Sequence, residues 1–251
     1  MPKNCKQGRI IYELDWNLLR IREVASPAHD AAANALNVAI GIWSTNTATA
    51  PESLKQLGQG RKNPMKCALA NIEWYFQAGS EKSFDQSFRP FDIQVGVNLA
   101  KLVPGSNRII YPTFVIEVGR SHETYPQLLN DAEFKHFSPM TSIQVWLGIK
   151  LFPTARMKVA LKVRNNNLGH GSDPAQFIES ETISLLQPTD IEIIVPKNRI
   201  YFAVPPAQVP PTSMTTPGQN ALPRAALPYG PIDDFVVSVD LIRRCVLEDW
   251  D

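Results

Sequence analysis

Between Ile109 and Phe152 the hydrophobic pattern changes period twice. Ile109-Ile-Tyr-Pro-Thr-Phe-Val-Ile-Glu-Val-Gly119 is an almost unbroken run of strand formers with one carboxylate, Glu117. Such runs belong to strands covered on both faces, where apolar residues need not alternate with polar ones. From His122 to His136 the period becomes helical: Tyr125, Leu128, Leu129 and Ala132 share one face, and Glu123, Gln127, Asp131 and Lys135 lie outside it. A second apolar strand, Ile143 to Phe152, follows at once. Strand, helix and strand of these lengths predict a right-handed crossover joining parallel strands. Function in such sheets gathers at the carboxyl ends of the strands, where Glu117 and Lys150 both fall. A carboxylate on a buried strand is costly unless something pairs with it or coordinates it, which singles out Glu117.

The flanking segments give weaker signals. Residues 9 to 24 alternate loosely through Ile10, Tyr12 and Leu14, then Leu18, Ile21 and Val24, as one or two edge strands would. Ser26-Pro27 reads as a helix start, with Ser26 as N-cap and Pro27 in the first turn. Ala32, Leu36, Ala39, Ile40 and Trp43 continue its apolar face. Residues 44 to 63 are polar and read as a loop. Met65, Ala68, Leu69, Ile72 and Phe76 recur at helical intervals and predict a second helix over Asn63 to Gln77. Gly96 to Arg108 reads as a connection before the central strand. Met157 to Val163 alternates apolar residues with lysines, as a charge-protected sheet edge does. Ile183 to Leu186 and Ile191 to Val195 are further strands, and Pro205 to Pro231, rich in Pro, Ala and Thr, predicts an extended arm with no core of its own. Phe235 to Val239 and Asp240 to Leu247 close the chain as a strand and a capped amphipathic helix. The whole reads as a single domain over residues 1–251, with 205–231 as the arm and 232–251 as the closing strand and helix.

Composition narrows the setting. The formal charge of +1 supplies no global field toward nucleic acid, so any such contact rests on a local groove. Cys5, Cys67 and Cys245 are odd in number and far apart, which supports neither a disulfide framework nor a zinc site. His170 lies between glycines with no second ligand at metal spacing. No apolar stretch follows the N-terminal lysines and no apolar run reaches 18 residues, so the expectation is an intracellular protein, cytoplasmic or nuclear, without a membrane partner.

Phe114-Val-Ile-Glu-Val-Gly-Arg-Ser121, Gln127-Leu-Leu-Asn-Asp-Ala-Glu133 and Gln144-Val-Trp-Leu-Gly-Ile-Lys150 together resemble the core of the PD-(D/E)XK superfamily. The resemblance is closest to its restriction endonuclease branch. It implies an α/β fold with a restriction-endonuclease-like central mixed sheet flanked by helices. It implies a nuclease acting on DNA with Mg²⁺ or Mn²⁺ as cofactor. Phosphodiester hydrolysis needs an activated water and neutralised charge, and hard divalent cations that supply both prefer oxygen ligands. In the family an aspartate ahead of Ser-Phe and Pro supplies the first ligand. Asp85-Gln-Ser-Phe-Arg-Pro90 resembles that motif, with Phe84 in place of its proline, and Asp92 competes for the role. The metal ligands so implied are Asp85, Glu117 and the Val118 carbonyl. The motif lysine, two positions after Glu117, is absent: Gly119 stands there. Lys150 on the next strand is the candidate replacement, and Arg120 a weaker one. Relatives often carry a histidine in the first helical turn, so His29 is either a capping or surface residue or a contact near the site. The competing expectation is a catalytically degenerate binding or scaffold protein on the same fold, with a protein partner or a second copy.

Overall fold

The computed structural model describes residues 9–13, 18–22, 26–44, 65–68, 73–75, 81–83, 85–90, 112–120, 123–137, 143–165, 176–202, 204, 206–209, 211–223 and 230–250. The chain begins with an antiparallel pair, β1 (Arg9–Glu13) and β2 (Leu18–Arg22). Helix α1 (Pro27–Trp43) starts where Ser26 caps it, the Ser26 hydroxyl accepting the His29 amide at 3.3 Å. Its apolar stripe includes Ala28, Ala32, Leu36, Ile40 and Trp43, all buried, and the alanines let its backbone approach a sheet closely.

Among the described residues that sheet has seven strands. β7 (Phe114–Gly119) and β8 (Val145–Phe152) run parallel at its centre, joined by α2 (Tyr125–Asp131). Antiparallel to β7 lies β6 (Gln86–Pro90), followed by β3 (Met65–Ala68). On the other side β8 pairs with β9 (Arg156–Val163), which pairs with both β10 (Gln176–Glu179) and β11 (Ile183–Ser184). A short pair, β4 (Glu73–Tyr75) and β5 (Glu81–Ser83), stands apart from it. β12 (Glu192–Val195), β13 (Ala221–Leu222) and β14 (Phe235–Ser238) form a three-stranded sheet, and α4 (Val239–Glu248) follows. Between them Lys197–Ile200 makes the single helical turn α3.

Alternation sorts the central strands into two layers. Phe114, Ile116 and Val118 of β7, with Val145, Leu147, Ile149 and Leu151 of β8, join α1, α4, β12 and β14 in the larger core. Val115 and Trp146 face the other way, against Leu128 and Ala132 of the crossover helix and Phe137. A mixed sheet flanked by helices is therefore the architecture, and the parallel crossover is where the sequence placed it. Ser26, Pro27 and the closing strand and helix are also as expected, with Ser238 as the last N-cap.

Three expectations change. The helix over Asn63 to Gln77 is instead β3 and β4: β3 gains a ladder with β6, from Met65↔Pro90 to Ala68↔Ser87, and that pairing outweighs a short helical spacing. β9 is an inner strand, not an edge. Its lysines are accommodated because their stems lie along the sheet while the ammonium groups reach partners, Lys158 to Glu179 at 2.8 Å and Lys162 to Glu133 at 2.6 Å. The Pro-rich arm is extended where described, broken by one 3-10 turn at Pro206–Gln208, but it is not apart from the core. Ala221 is fully buried, and the Ser213 amide donates to the Trp43 carbonyl at 2.8 Å. Among the described residues no helix is long and apolar enough to cross a membrane.

Candidate functional site

The carboxyl ends of β7 and β8 collect the residues singled out by the sequence, in two groups on either side of the β7 backbone. The first group centres on Asp85, just before β6. Its Oδ2 accepts the Val118 amide at 2.6 Å, and its Oδ1 lies 3.2 Å from His29 Nε2. A strand residue projects its N–H and C=O toward the same edge, so the Val118 carbonyl points to the side of β7 on which Asp85 sits. Asp85 and Val118 are thus brought together, and His29 joins them from the first turn of α1. The His29 amide is part of the cap, and its ring lies against Asp85.

The other ring nitrogen of His29, Nδ1, lies 3.2 Å from Asp30. Burial alone would lower the His29 pKa, but the hydrogen bond and charge of Asp85, then those of Asp30, outweigh it and raise it to about 9. The imidazole is therefore protonated at neutral pH and clasps α1 to the β6–β7 edge. A folded pKa above the ordinary 6.5 means that this stabilisation is complete below about pH 6.5 and is lost as pH rises through about 9. Chemical unfolding in EDTA from pH 6 to pH 10 should show wild type losing about 1–2 kcal/mol across that window, after allowance for solvent screening. His29→Gln should lack that slope, and identical profiles would rule the clasp out.

The second group lies on the face covered by α2. Glu117 is 5 % exposed, and its Oε1 is 3.9 Å from Nε2 of the fully buried His136. That is ion-pair range when the imidazole is protonated, and too long for a hydrogen bond. His136 gets there because α2 ends in a π-helical turn, Ala132–His136, whose wider winding turns it inward while Glu133 and Phe134 stay exposed. Sequence reading at helical period passed over His136; the wider π turn has no signature in the apolar spacing.

Lys150 occupies the same face as Glu117, since Glu117 pairs with Gly148 and Gly119 with Lys150 across the parallel ladder. A Cβ on Gly119 would meet Glu123 Oε2 at 3.0 Å, Leu128 Cδ2 at 3.4 Å and Lys150 Cδ at 3.5 Å. The lysine stem thus lies beside the space that a side chain at 119 would take, in ordinary van der Waals contact with it. Its ammonium donates to the Arg120 carbonyl at 2.8 Å and to the Glu123 carbonyl. Burial lowers the Lys150 pKa, and the Glu123 charge partly offsets that. Lys150 therefore also pins the turn between β7 and α2, which the Thr124–Gln127 capping box closes. Arg120 offers its carbonyl to this turn and its guanidinium to Trp250, 5.1 Å from the ring centroid.

Two carboxylates and a carbonyl are a donor set suited to a hard cation. Asp85 and Val118 fit that role in position. Glu117 is turned to the α2 face beside His136, and among the described residues no group of three or more His, Cys, Asp or Glu converges as a metal cluster. Asp92 and His170 lie outside the described residues, as do Cys5 and the 96–108 connection. A scan against protein-family models finds none that matches the chain, and a search of curated proteins finds no match either.

Proposed function

We propose that the protein is a divalent-metal-dependent nuclease on a restriction-endonuclease-like fold, hydrolysing phosphodiester bonds in DNA. Asp85 and the Val118 carbonyl would hold Mg²⁺ or Mn²⁺, and Glu117 would complete the set by turning from the α2 face, where it now lies beside His136. The course of Lys150 carries the reading: its stem passes beside Gly119 on the face of Glu117, and from there the next strand would supply the ammonium that position 119 lacks. The parallel crossover ending in charged groups supports it. Bound, the ion would activate water and neutralise phosphate charge. The chain's own part is to orient Asp85 through the Val118 amide and to fix Lys150 against the turn, ready to stabilise developing negative charge.

One contact favours a second reading. A protonated His29 already sets a cation against Asp85, so this end of the sheet is charge-compensated without metal. On that reading the protein is a binding or scaffold module, with a protein partner or a second copy.

Incubation with supercoiled plasmid, single-stranded DNA and RNA, in Mg²⁺, Mn²⁺ or EDTA, separates the two. The nuclease reading expects metal-dependent cleavage, slowed about a hundredfold by Lys150→Ala. Cleavage untouched by Lys150→Ala would remove the lysine from the mechanism and leave the enzyme standing. No cleavage of any substrate would select the binding module.

A further inference from the structure

The cations of the described residues are mostly spent. Lys158, Lys162 and Lys197 pair with Glu179, Glu133 and Asp233, and Arg243 and Arg244 share Asp240. Arg120 is different. It directly follows β7, three residues after Glu117, and among the described residues no carboxylate pairs with its guanidinium. What it has is Trp250, two residues beyond α4. That indole is half-buried against the larger core, with the guanidinium carbon 5.1 Å from its centroid. The Arg120 carbonyl receives Lys150 Nζ, so the backbone of this arginine is fixed at the site while its charge is held on an aromatic ring.

A ring contact fixes a guanidinium without using its in-plane donors. Those N–H groups form a rigid fork that matches the oxygens of a phosphate, and stacking removes much of the entropy cost of aiming it. We propose that Arg120, held on Trp250, is a phosphate-binding arm of the same site that grips a nucleic-acid phosphodiester beside the one to be cut. The choice of nucleic acid as substrate rests on the nuclease reading; the anion-binding fork rests on the Arg120–Trp250 geometry. The C-terminal helix then has a task at the opposite end of the chain's fold: it delivers the ring that aims the arm.

The test is fluorescence anisotropy with fluorescein-labelled single-stranded and duplex oligonucleotides, in EDTA so that binding is read without cleavage. Arg120→Gln should bind about tenfold more weakly, with the salt dependence of affinity reduced by about one unit of slope. Arg120→Lys keeps the charge but not the fork and should fall between. Trp250→Ala should weaken binding with Arg120 intact, and Trp250→Phe should restore it; thermal melts of Arg120→Gln verify that folding is unchanged. Wild-type affinity and slope in Arg120→Gln would overturn the proposal, whether or not the wild type cuts DNA. So would a wild type that binds neither oligonucleotide at low salt. Weakened binding by Arg120→Gln, from a wild type that cuts nothing in any metal, would uphold the arm and sink the nuclease reading.

Discussion

Gly148→Ala is expected to cost about 3 kcal/mol of stability, or to prevent folding altogether. Gly148 lies at the centre of β8, opposite Glu117, and the Trp146 indole lies flat across it. An added Cβ would fall 2.0 Å from Trp146 Cη2 and 2.4 Å from Cζ2, far inside the contact distance of non-bonded carbons. The ring has nowhere to go, because Trp146 is fully buried under α2 among Val115, Leu128, Ala132 and Phe137. One extra methyl in a packed core ordinarily costs about 1–3 kcal/mol, and a rigid indole puts this site at the upper end. The need here is for close approach and not for an unusual backbone angle. Urea unfolding of wild type and variant measures it. The double variant Trp146→Leu/Gly148→Ala should recover part of the loss, since removing the indole makes room for the methyl. A single variant within 0.5 kcal/mol of wild type, a surface-like change, would mean that the ring is not held where it lies.

This packing also marks where the sequence was legible. The apolar run before Gly119 and the strand from Ile143 could be read because buried parallel strands are apolar throughout, and the helical interval between them sets the crossover. Ser26-Pro27 could be read because a cap and its proline are local chemistry. Asn63 to Gln77 misled because five apolar residues at helical intervals are a weak signal, and β3 is decided by a partner, β6, about twenty residues away. The candidate residues could be listed as charges, but their geometry could not be read. Lys150 was found from its place at a strand end, yet its route beside Gly119 depends on register between two strands. His136 depends on a π turn that departs from helical period, and Trp250 on a chain end folding back to β7. The Asp85–His29 pair joins residues 56 positions apart, and nothing local announces it.

Glu117→Gln separates the functional from the structural meaning of the buried carboxylate. The substitution keeps shape and removes charge. If Glu117 is retained as a metal ligand, the folded protein bears a desolvated charge for the sake of function, and its neutral isostere should be as stable or more so. Cleavage should then fall by about 10²–10³-fold, as when one preorganised charge-stabilising group is lost. Mn²⁺ should raise the wild-type melting temperature, by mass action on the folded state, and leave the variant's unmoved. If Glu117 instead serves as the counter-ion of His136, 3.9 Å away and fully buried, the variant strands an imidazolium in the core. Breaking such a pair costs about 3–5 kcal/mol, and cleavage per folded molecule should be unchanged. Urea unfolding, a Mn²⁺ melting series and a cleavage assay on one variant thus give opposite patterns. The nuclease reading expects retained stability, no Mn²⁺ response and lost cleavage, because a charge kept in a core at a cost to folding is one that the chemistry uses.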